Sequence, residues 1–134
     1  MLEVFFFNRQ NLSNSLIFLC DNNAKLFVKE AGMQIKHRIY ENTLYVVLSG
    51  ELDEHSAYNA RINLDEIFDM PKFNQIIIDL SELDFMDSTG IGVLIGRYKR
   101  MKDKHIPIFI CNPSTHAERI FKMTGLYDIM PKIS

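Results

Sequence analysis

Apolar positions along the chain follow strand and helix periods in turn. Runs that alternate or stay apolar over a few positions predict strands at residues 34–40, 44–48, 76–78 and 106–111. Glu41-Asn42 predicts a hairpin turn between the first two strands, and Ser49-Gly50 is expected to end the second. A further apolar pair at Leu83 and Phe85 and a short closing strand at 128–130 complete the predicted strands.

Helical spacing of apolar residues fills the intervals between these strands. Periods of three and four predict helices at residues 56–68, 88–101 and 114–123. Apolar contacts of the first helix are expected from Ala57, Ala60, Ile62, Leu64, Ile67 and Phe68. Pro71 and Gly125 predict the ends of the first and third helices. Strands alternating with helices imply an α/β fold, a mixed β-sheet of four to five strands with helices mainly on one face.

The second helix carries two stripes of different chemistry. Its apolar stripe, which we expect to face the core, comprises Ile91, Leu94, Ile95, Tyr98 and Met101. Ser88, Gly92 and Gly96 recur at intervals of four and form a stripe with almost no side-chain bulk. Glycine inside a helix costs about 0.5–1 kcal/mol relative to alanine, so a backbone is expected to approach this surface. That backbone is either the chain's own or that of a partner.

Polar residues at the start of this helix carry the candidate chemistry. Asp87, Ser88 and Thr89 can cap the helix, because each accepts hydrogen bonds from the free N–H groups of the first turn. The string DFMDSTGIGVLIGRYK, residues 84–99, also resembles the phosphorylatable loop and helix of STAS-domain anti-sigma factor antagonists, particularly the sporulation type. The resemblance implies that Ser88 is the phosphate acceptor and that Thr89 is the neighbouring hydroxyl residue, which is not the principal acceptor.

The resemblance to the STAS family extends over residues 33–130. Gly50-Glu51-Leu52-Asp53 resembles the family's loop after the second strand, which lies near the phosphoacceptor, and residues 123–126 match the late helix end. The family's final helix has no counterpart before Ser134. The residues implied in partner or nucleotide contact are Asp53, Asp87, Thr89, Gly90, Gly92 and Gly96. Asp53 and Asp87 either orient the acceptor hydroxyl or only keep the loops polar and capped.

A partner-switching function follows from this resemblance. In such a switch the unphosphorylated antagonist binds an anti-sigma factor that is also a serine kinase, and the sigma factor is released. Phosphorylation on Ser88 would end this binding, and a serine phosphatase acting on the phosphorylated form would restore it. Two alternatives remain open: a stress-response or other signalling STAS module, and a small domain that binds nucleotide weakly.

Composition narrows the class of protein. A chain of 134 residues with 47% hydrophobic and 24% charged residues suits one globular domain. Its net charge of −2 argues against a nucleic-acid binder, which would need cations for phosphate contacts. Cys20 and Cys111 lie far apart and signal neither a disulfide framework nor a zinc site, so we expect a reducing cytoplasm. We also expect no membrane partner.

Enzyme chemistry has little support in the sequence. A serine nucleophile needs a base within reach, and the four histidines fall in separate segments where solvated surface positions are expected. They are His37, His55, His105 and His116, of which only His55 is near the Asp53 loop. Gly90, Gly92 and Gly96 imitate a dinucleotide motif, but they lie inside a helix and the third is one residue late. We predict no catalytic residue, metal site or cofactor.

The first part of the chain differs from the rest. Residues 1–32 hold two short apolar runs, neither long enough to cross a membrane, and lack the pattern of a secretory signal. The family resemblance begins only at Met33. We therefore divide the chain into an N-terminal extension, 1–32, and a STAS domain, 33–134, and hypothesise that Met33 is the native start.

Overall fold

A five-stranded mixed sheet and three α-helices make up residues 32–70 and 72–133, the parts of the chain described by the computed structural model. The strands are β1 Met33–Tyr40, β2 Thr43–Leu52, β3 Gln75–Asp79, β4 Leu83–Met86 and β5 Ile108–Cys111. The helices are α1 Ala57–Phe68, α2 Ser88–Asp103 and α3 Thr115–Thr124, and a 3-10 helix, Leu126–Asp128, follows them. The predicted α/β class and its mixed sheet are confirmed.

The sheet begins with the predicted hairpin. β1 pairs antiparallel with β2, and the turn residues Glu41 and Asn42 have φ values of 48° and 64°. Two left-handed residues in a two-residue turn match the twist of the paired strands. The remaining pairings are parallel, and they give the order β1-β2-β3-β5 with β4 beside the last residues of β2. Because α1 follows β2 and α2 follows the parallel β4, both helices start at the same edge of the sheet.

β2 is longer than the sequence predicted. Ser49-Gly50 does not end the strand, because residues 50–52 continue it and pair with β4. The register shifts between Gly50 and Glu51, and this irregularity disturbs the alternation of side chains in β4. Leu83 is buried as expected, whereas Phe85 is 40% exposed. The extension matters for function because it carries β2 up to the start of α2.

The core lies between one face of the sheet and the helices. Seven buried apolar residues of β2, β3 and β5 share one face: Leu44, Val46, Leu48, Ile76, Ile78, Ile108 and Ile110. The opposite face carries Tyr45, Ile77 and Phe109, which are only half-buried. α1 buries five of the six predicted apolar residues, and Ile62 is the error, at 38% exposure. The buried stripe of α1 follows Ala60, Leu64 and Ile67, and Ile62 lies outside its arc.

The buried face of α2 is turned relative to the predicted stripe. Its buried residues are Gly90, Val93, Leu94, Arg97 and Met101. Ile91, Ile95 and Tyr98, which the sequence placed on the core side, are half-buried at its margin. The difference of about one residue arises because Arg97, a charged residue, occupies a core-facing position.

Within the described residues, which end at 133, the last segment forms no closing strand. The prediction at 128–130 is wrong, because the 3-10 helix Leu126–Asp128 takes this place and one isolated parallel bridge joins Ile110 to Lys132. The predicted extension falls outside the described residues except for Gly32, whose carbonyl accepts a hydrogen bond of 2.6 Å from the Glu51 N–H. In the described part of the chain, none of the helices is long and apolar enough to cross a membrane.

Candidate functional site

The N-terminus of α2 presents an exposed serine next to its capping aspartate. Asp87 is the N-cap, and its Oδ1 accepts a hydrogen bond of 3.0 Å from the Gly90 N–H. Ser88 and Thr89 are the first two residues of the helix, and both are exposed. Since Asp87 supplies the cap, the Ser88 hydroxyl is not needed for that role.

Asp87 also ties the start of α2 to the loop after β2. The Asp87 N–H donates to the Leu52 carbonyl at 3.3 Å, and Asp87 Oδ2 accepts from the Glu54 N–H at 3.3 Å. The sequence placed the Asp53 loop near the phosphoacceptor, and the structure brings the two segments together. Glu54 was missed by the sequence analysis, because a backbone donor leaves no signal in residue type.

Asp53 shapes its own loop. Its Oδ1 accepts from the backbone N–H groups of His55, at 2.9 Å, and Ser56, at 3.1 Å. The Ser56 hydroxyl in turn donates to the Glu51 carbonyl at 2.7 Å. These bonds organise the backbone just before α1. The contacts of the Asp53 carboxylate therefore account for loop geometry, and they do not reach Ser88.

The three glycines of α2 have different surroundings. A Cβ at Gly90 would clash with the Leu52 carbonyl oxygen, so the close contact between α2 and the end of β2 requires glycine there. At Gly92 and Gly96 a Cβ would meet nothing within 4 Å in the part of the chain described. Close packing of these two positions against the chain's own sheet or loops, the first alternative drawn from the sequence, is therefore not observed. Ser88, Gly92 and Gly96 form an open strip on α2.

Two arginines in the second half of α2 form ion pairs with carboxylates of α1. Arg97 Nε lies 2.9 Å from Asp65 Oδ1, and Arg100 reaches Asp65 at 2.6 Å and Asp69 at 2.9 Å. Burial lowers the pKa of Arg97, whereas the hydrogen bond with Asp69 raises the pKa of Arg100. These arginines join α2 to α1. The charged side chains described near Ser88 are the carboxylates of Asp87 and of the loop at Asp53 and Glu54.

The four histidines differ in their surroundings, and His116 lies near the start of α2, with its Nε2 3.4 Å from the Met86 carbonyl oxygen. His55 pairs with Glu54 at 3.9 Å and is exposed, as is His105. His37 and His116 are half-buried, so the expectation of four solvated histidines is wrong for these two. His116 stacks on Phe85 at a centroid distance of 5.3 Å. Within residues 32–70 and 72–133 no group of three His, Cys, Asp or Glu side chains is arranged to hold a metal ion.

Comparison with known proteins identifies the family of this chain. The family model of the STAS domain matches residues 34–134. An anti-sigma F factor antagonist of Paenibacillus polymyxa is 37% identical over 100 residues, 75% of this chain and 86% of that protein. An anti-sigma-B factor antagonist of Listeria monocytogenes is 31% identical, covering 74% of this chain and 85% of that protein.

Solved structures agree with the sequence relatives. The unphosphorylated form of the anti-sigma factor antagonist SpoIIAA superposes with a TM-score of 0.62 and 26% identity, over 76% of this chain and 88% of that chain. SpoIIAA of Bacillus has also been solved in its phosphorylated form, which superposes with a TM-score of 0.58, 26% identity and coverage of 76% and 91%. The chain described here belongs to the STAS-domain family and, within it, to the anti-sigma factor antagonists.

Proposed function

We propose that this protein is the switching component of a sigma-factor circuit in the bacterial cytoplasm. Its unphosphorylated form binds an anti-sigma factor and thereby frees the sigma factor. A serine kinase, which is the anti-sigma factor itself, transfers the γ-phosphoryl group of ATP to the Ser88 oxygen, and ADP leaves. A serine phosphatase then removes the phosphate. In this scheme the protein is a substrate and a binding partner, and it is not an enzyme.

The exposed hydroxyl of Ser88 is the single observation that carries this proposal. A kinase needs an accessible acceptor oxygen, and Ser88 is exposed on the first turn of α2, directly after the capping Asp87. Phosphate at this position meets the positive end of the helix dipole, so the fold tolerates it. Phosphorylation therefore changes the surface and leaves the scaffold intact.

Electrostatics explains how the phosphate would end binding. Phosphoserine carries roughly −1.5 to −2 charges at neutral pH. A partner that covers Ser88 and the Gly92 and Gly96 backbone must remove water from this charge, close to Asp87 and the Asp53 loop. An uncompensated charge in an interface costs about 3 kcal/mol or more, which corresponds to at least a hundredfold loss of affinity.

Labelled ATP tests the acceptor and the enzyme alternative together. The protein is incubated with labelled ATP alone and then with the anti-sigma factor kinase of its host. We expect label only with the kinase, located on Ser88 by peptide mass spectrometry. Turnover of ATP by the protein alone would revive the nucleotide-hydrolysing alternative, and label on Thr89 would move the acceptor.

Two variants separate binding from modification. Ser88→Ala should bind the anti-sigma factor like the wild type but accept no phosphate. Ser88→Asp should bind at least tenfold more weakly, although aspartate carries less charge than phosphate. Wild-type affinity for Ser88→Asp together with wild-type affinity for the phosphorylated protein would contradict the electrostatic mechanism.

A second partner class is supported by the anti-sigma-B factor antagonists among the relatives, at 31% identity for that of Listeria monocytogenes. Such a partner would place the protein in a different signalling circuit with the same switch at Ser88. Parallel titrations against the host's anti-sigma F type and anti-sigma-B type kinases decide between them. The partner class is the one that phosphorylates Ser88 and loses affinity afterwards.

A further inference from the structure

One flank of α1 lies beside the open strip of α2 and carries two apolar side chains that the core does not use. Tyr58 is 63% exposed and Ile62 is 38% exposed, whereas the other apolar residues of α1 are buried. Isolated apolar residues on a surface are ordinary. These two are one helical turn apart on the same side of α1, so they form a continuous patch.

The ion pairs between the helices fix the direction in which this flank faces. Residues 58, 62, 65 and 69 follow one another at helical intervals of four, three and four, and therefore share one stripe of α1. Asp65 and Asp69, the last two members, pair with Arg97 and Arg100 of α2. The stripe that carries Tyr58 and Ile62 therefore runs along the solvent side of α1 and continues into the two carboxylates that the arginines of α2 reach.

The two helices run in the same direction, and this sets the neighbours of Tyr58. β2 and β4 are parallel, α1 follows the former, and α2 follows the latter. Tyr58 precedes Asp65 by seven residues, or about 10 Å along the helix, and an equal step back from Arg97 reaches the first turn of α2. Tyr58 therefore lies at the level of Ser88 and Gly92, and Ile62, one turn later, lies at the level between Gly92 and Gly96.

The aromatic ring of Tyr58 is held in place from its own helix. The guanidinium of Arg61 lies over this ring, 5.4 Å from its centroid. Stacking of this kind restrains the ring and reduces the entropy that it would lose on binding. Tyrosine and arginine are also the residue types that most often dominate the binding energy of protein interfaces.

We propose that Tyr58 and Ile62 form one docking strip with the Ser88, Gly92 and Gly96 face, and that the anti-sigma factor covers both parts at once. The occupant is a protein segment with apolar side chains, because the strip is open, spans two helices and joins apolar groups to bare helix backbone. The inference rests on the proposed function, in which phosphorylation of Ser88 ends binding of the anti-sigma factor. It adds Tyr58 and Ile62 as the apolar part of the same binding surface. Apolar contact supplies affinity for the anti-sigma factor, and phosphorylation of Ser88 removes that affinity.

The test replaces the two side chains without disturbing the helix. Glutamine has a good helix propensity, so Tyr58→Gln/Ile62→Gln should fold like the wild type, as checked by circular dichroism and thermal melting. Met70→Gln is the matched control, because Met70 is also 38% exposed but lies past the far end of α1. Binding of the unphosphorylated variants to the host anti-sigma factor is measured by calorimetry.

We expect the double variant to bind about tenfold more weakly or worse, and the control to bind like the wild type. Wild-type affinity in the double variant, with Ser88→Asp still defective, would overturn the docking strip and leave the switch at Ser88 standing. If Ser88→Asp and the phosphorylated protein both bind normally as well, the proposed function fails instead. Equal losses in the double variant and in Met70→Gln would show a nonspecific effect and overturn the strip as well.

Self-association is the competing occupant of the same surface. Sedimentation velocity of the wild type and of the double variant, each without partner, detects it. We expect a concentration-independent monomer in both cases. A wild-type dimer that the double variant abolishes would assign the strip to a second copy of the chain and overturn the proposal.

Discussion

Three glycines of α2, Gly90, Gly92 and Gly96, show that a missing side chain has different consequences within one helix. Gly90 is buried against the Leu52 carbonyl, whereas Gly92 and Gly96 border open space. The spacing of Gly92 and Gly96 in the sequence predicted that a backbone, the chain's own or a partner's, approaches this helix. It did not show which glycine meets the chain's own backbone, because that depends on the extra residues of β2 that reach Leu52.

Alanine substitutions should separate these roles. Gly92→Ala adds a methyl group to free space and removes the helix penalty of glycine, so we expect a gain in stability of about 0.5–1 kcal/mol. Gly90→Ala forces a methyl group against a backbone oxygen, and we expect a loss of about 1–3 kcal/mol. Urea unfolding at neutral pH measures both. Destabilisation by Gly92→Ala would mean that the open strip is already occupied by part of the chain.

At the scale of elements, the register of α2 depends on a buried arginine. Arg97 is only 7% exposed, and its guanidinium is paired with Asp65 of α1. Arg97 was not among the residues that the sequence assigned to the core side, since a charged residue predicts a solvated face. The paired carboxylate lies 32 residues earlier in the chain, and no local pattern announces it. The buried face of α2 is therefore rotated by about one residue relative to the predicted apolar stripe.

Removal of the Asp65 charge should destabilise the joint between α1 and α2. Asp65→Asn leaves the Arg97 guanidinium buried without an opposite charge, and we expect a loss of about 2–3 kcal/mol, below the full cost of breaking a buried pair because Asp65 is itself 34% exposed. Asp69→Asn is the control: it removes the outer partner of Arg100 and the 3.7 Å pair with Lys104, and its effect should be much smaller because Asp69 is 54% exposed. Chemical denaturation compares the two. Similar losses in both variants would assign the stability to the exposed pairs instead.

Features that depend on a few neighbouring residues were predictable from the sequence, and features that depend on distant contacts were not. The hairpin turn, the cap at Asp87 and the helix end at Gly125 all agree with their sequence signals, because each is decided by a few neighbouring residues. The length of β2 and the exposure of Phe85 were not predictable. Both follow from the pairing of β2 with β4, a contact between segments about 30 residues apart.

At the scale of the whole molecule, one acidic side chain fastens the end of the chain. Glu118 of α3 accepts a hydrogen bond of 2.5 Å from the Tyr127 hydroxyl and pairs with Lys122 at 3.0 Å and Lys132 at 3.2 Å. Lys132 forms the parallel bridge to Ile110 of β5. Glu118 thus joins α3, the 3-10 helix and the edge of the sheet, a role that no sequence pattern predicted.

These contacts make the attachment of the terminal segment sensitive to acid. The hydrogen bond from Tyr127, followed by that from Lys122, lowers the pKa of Glu118 from 4.5 to about 2. A carboxyl whose pKa is depressed by folding stabilises the folded state above its unfolded pKa. This contribution is complete above about pH 4.5 and disappears as the pH falls toward 2.

Glu118→Gln should therefore have a stability deficit that depends on pH. We expect the difference in free energy of unfolding between wild type and variant to be largest near pH 6 and to shrink between pH 4.5 and about 2, because protonated Glu118 resembles glutamine. Tyr127→Phe should show a smaller change over the same range, since it removes the main cause of the pKa shift but keeps both lysines. Urea titrations at a series of pH values provide the measurement. A difference that stays constant from pH 6 to pH 2.5 would mean that the charge of Glu118 contributes nothing to holding the terminal segment on the sheet.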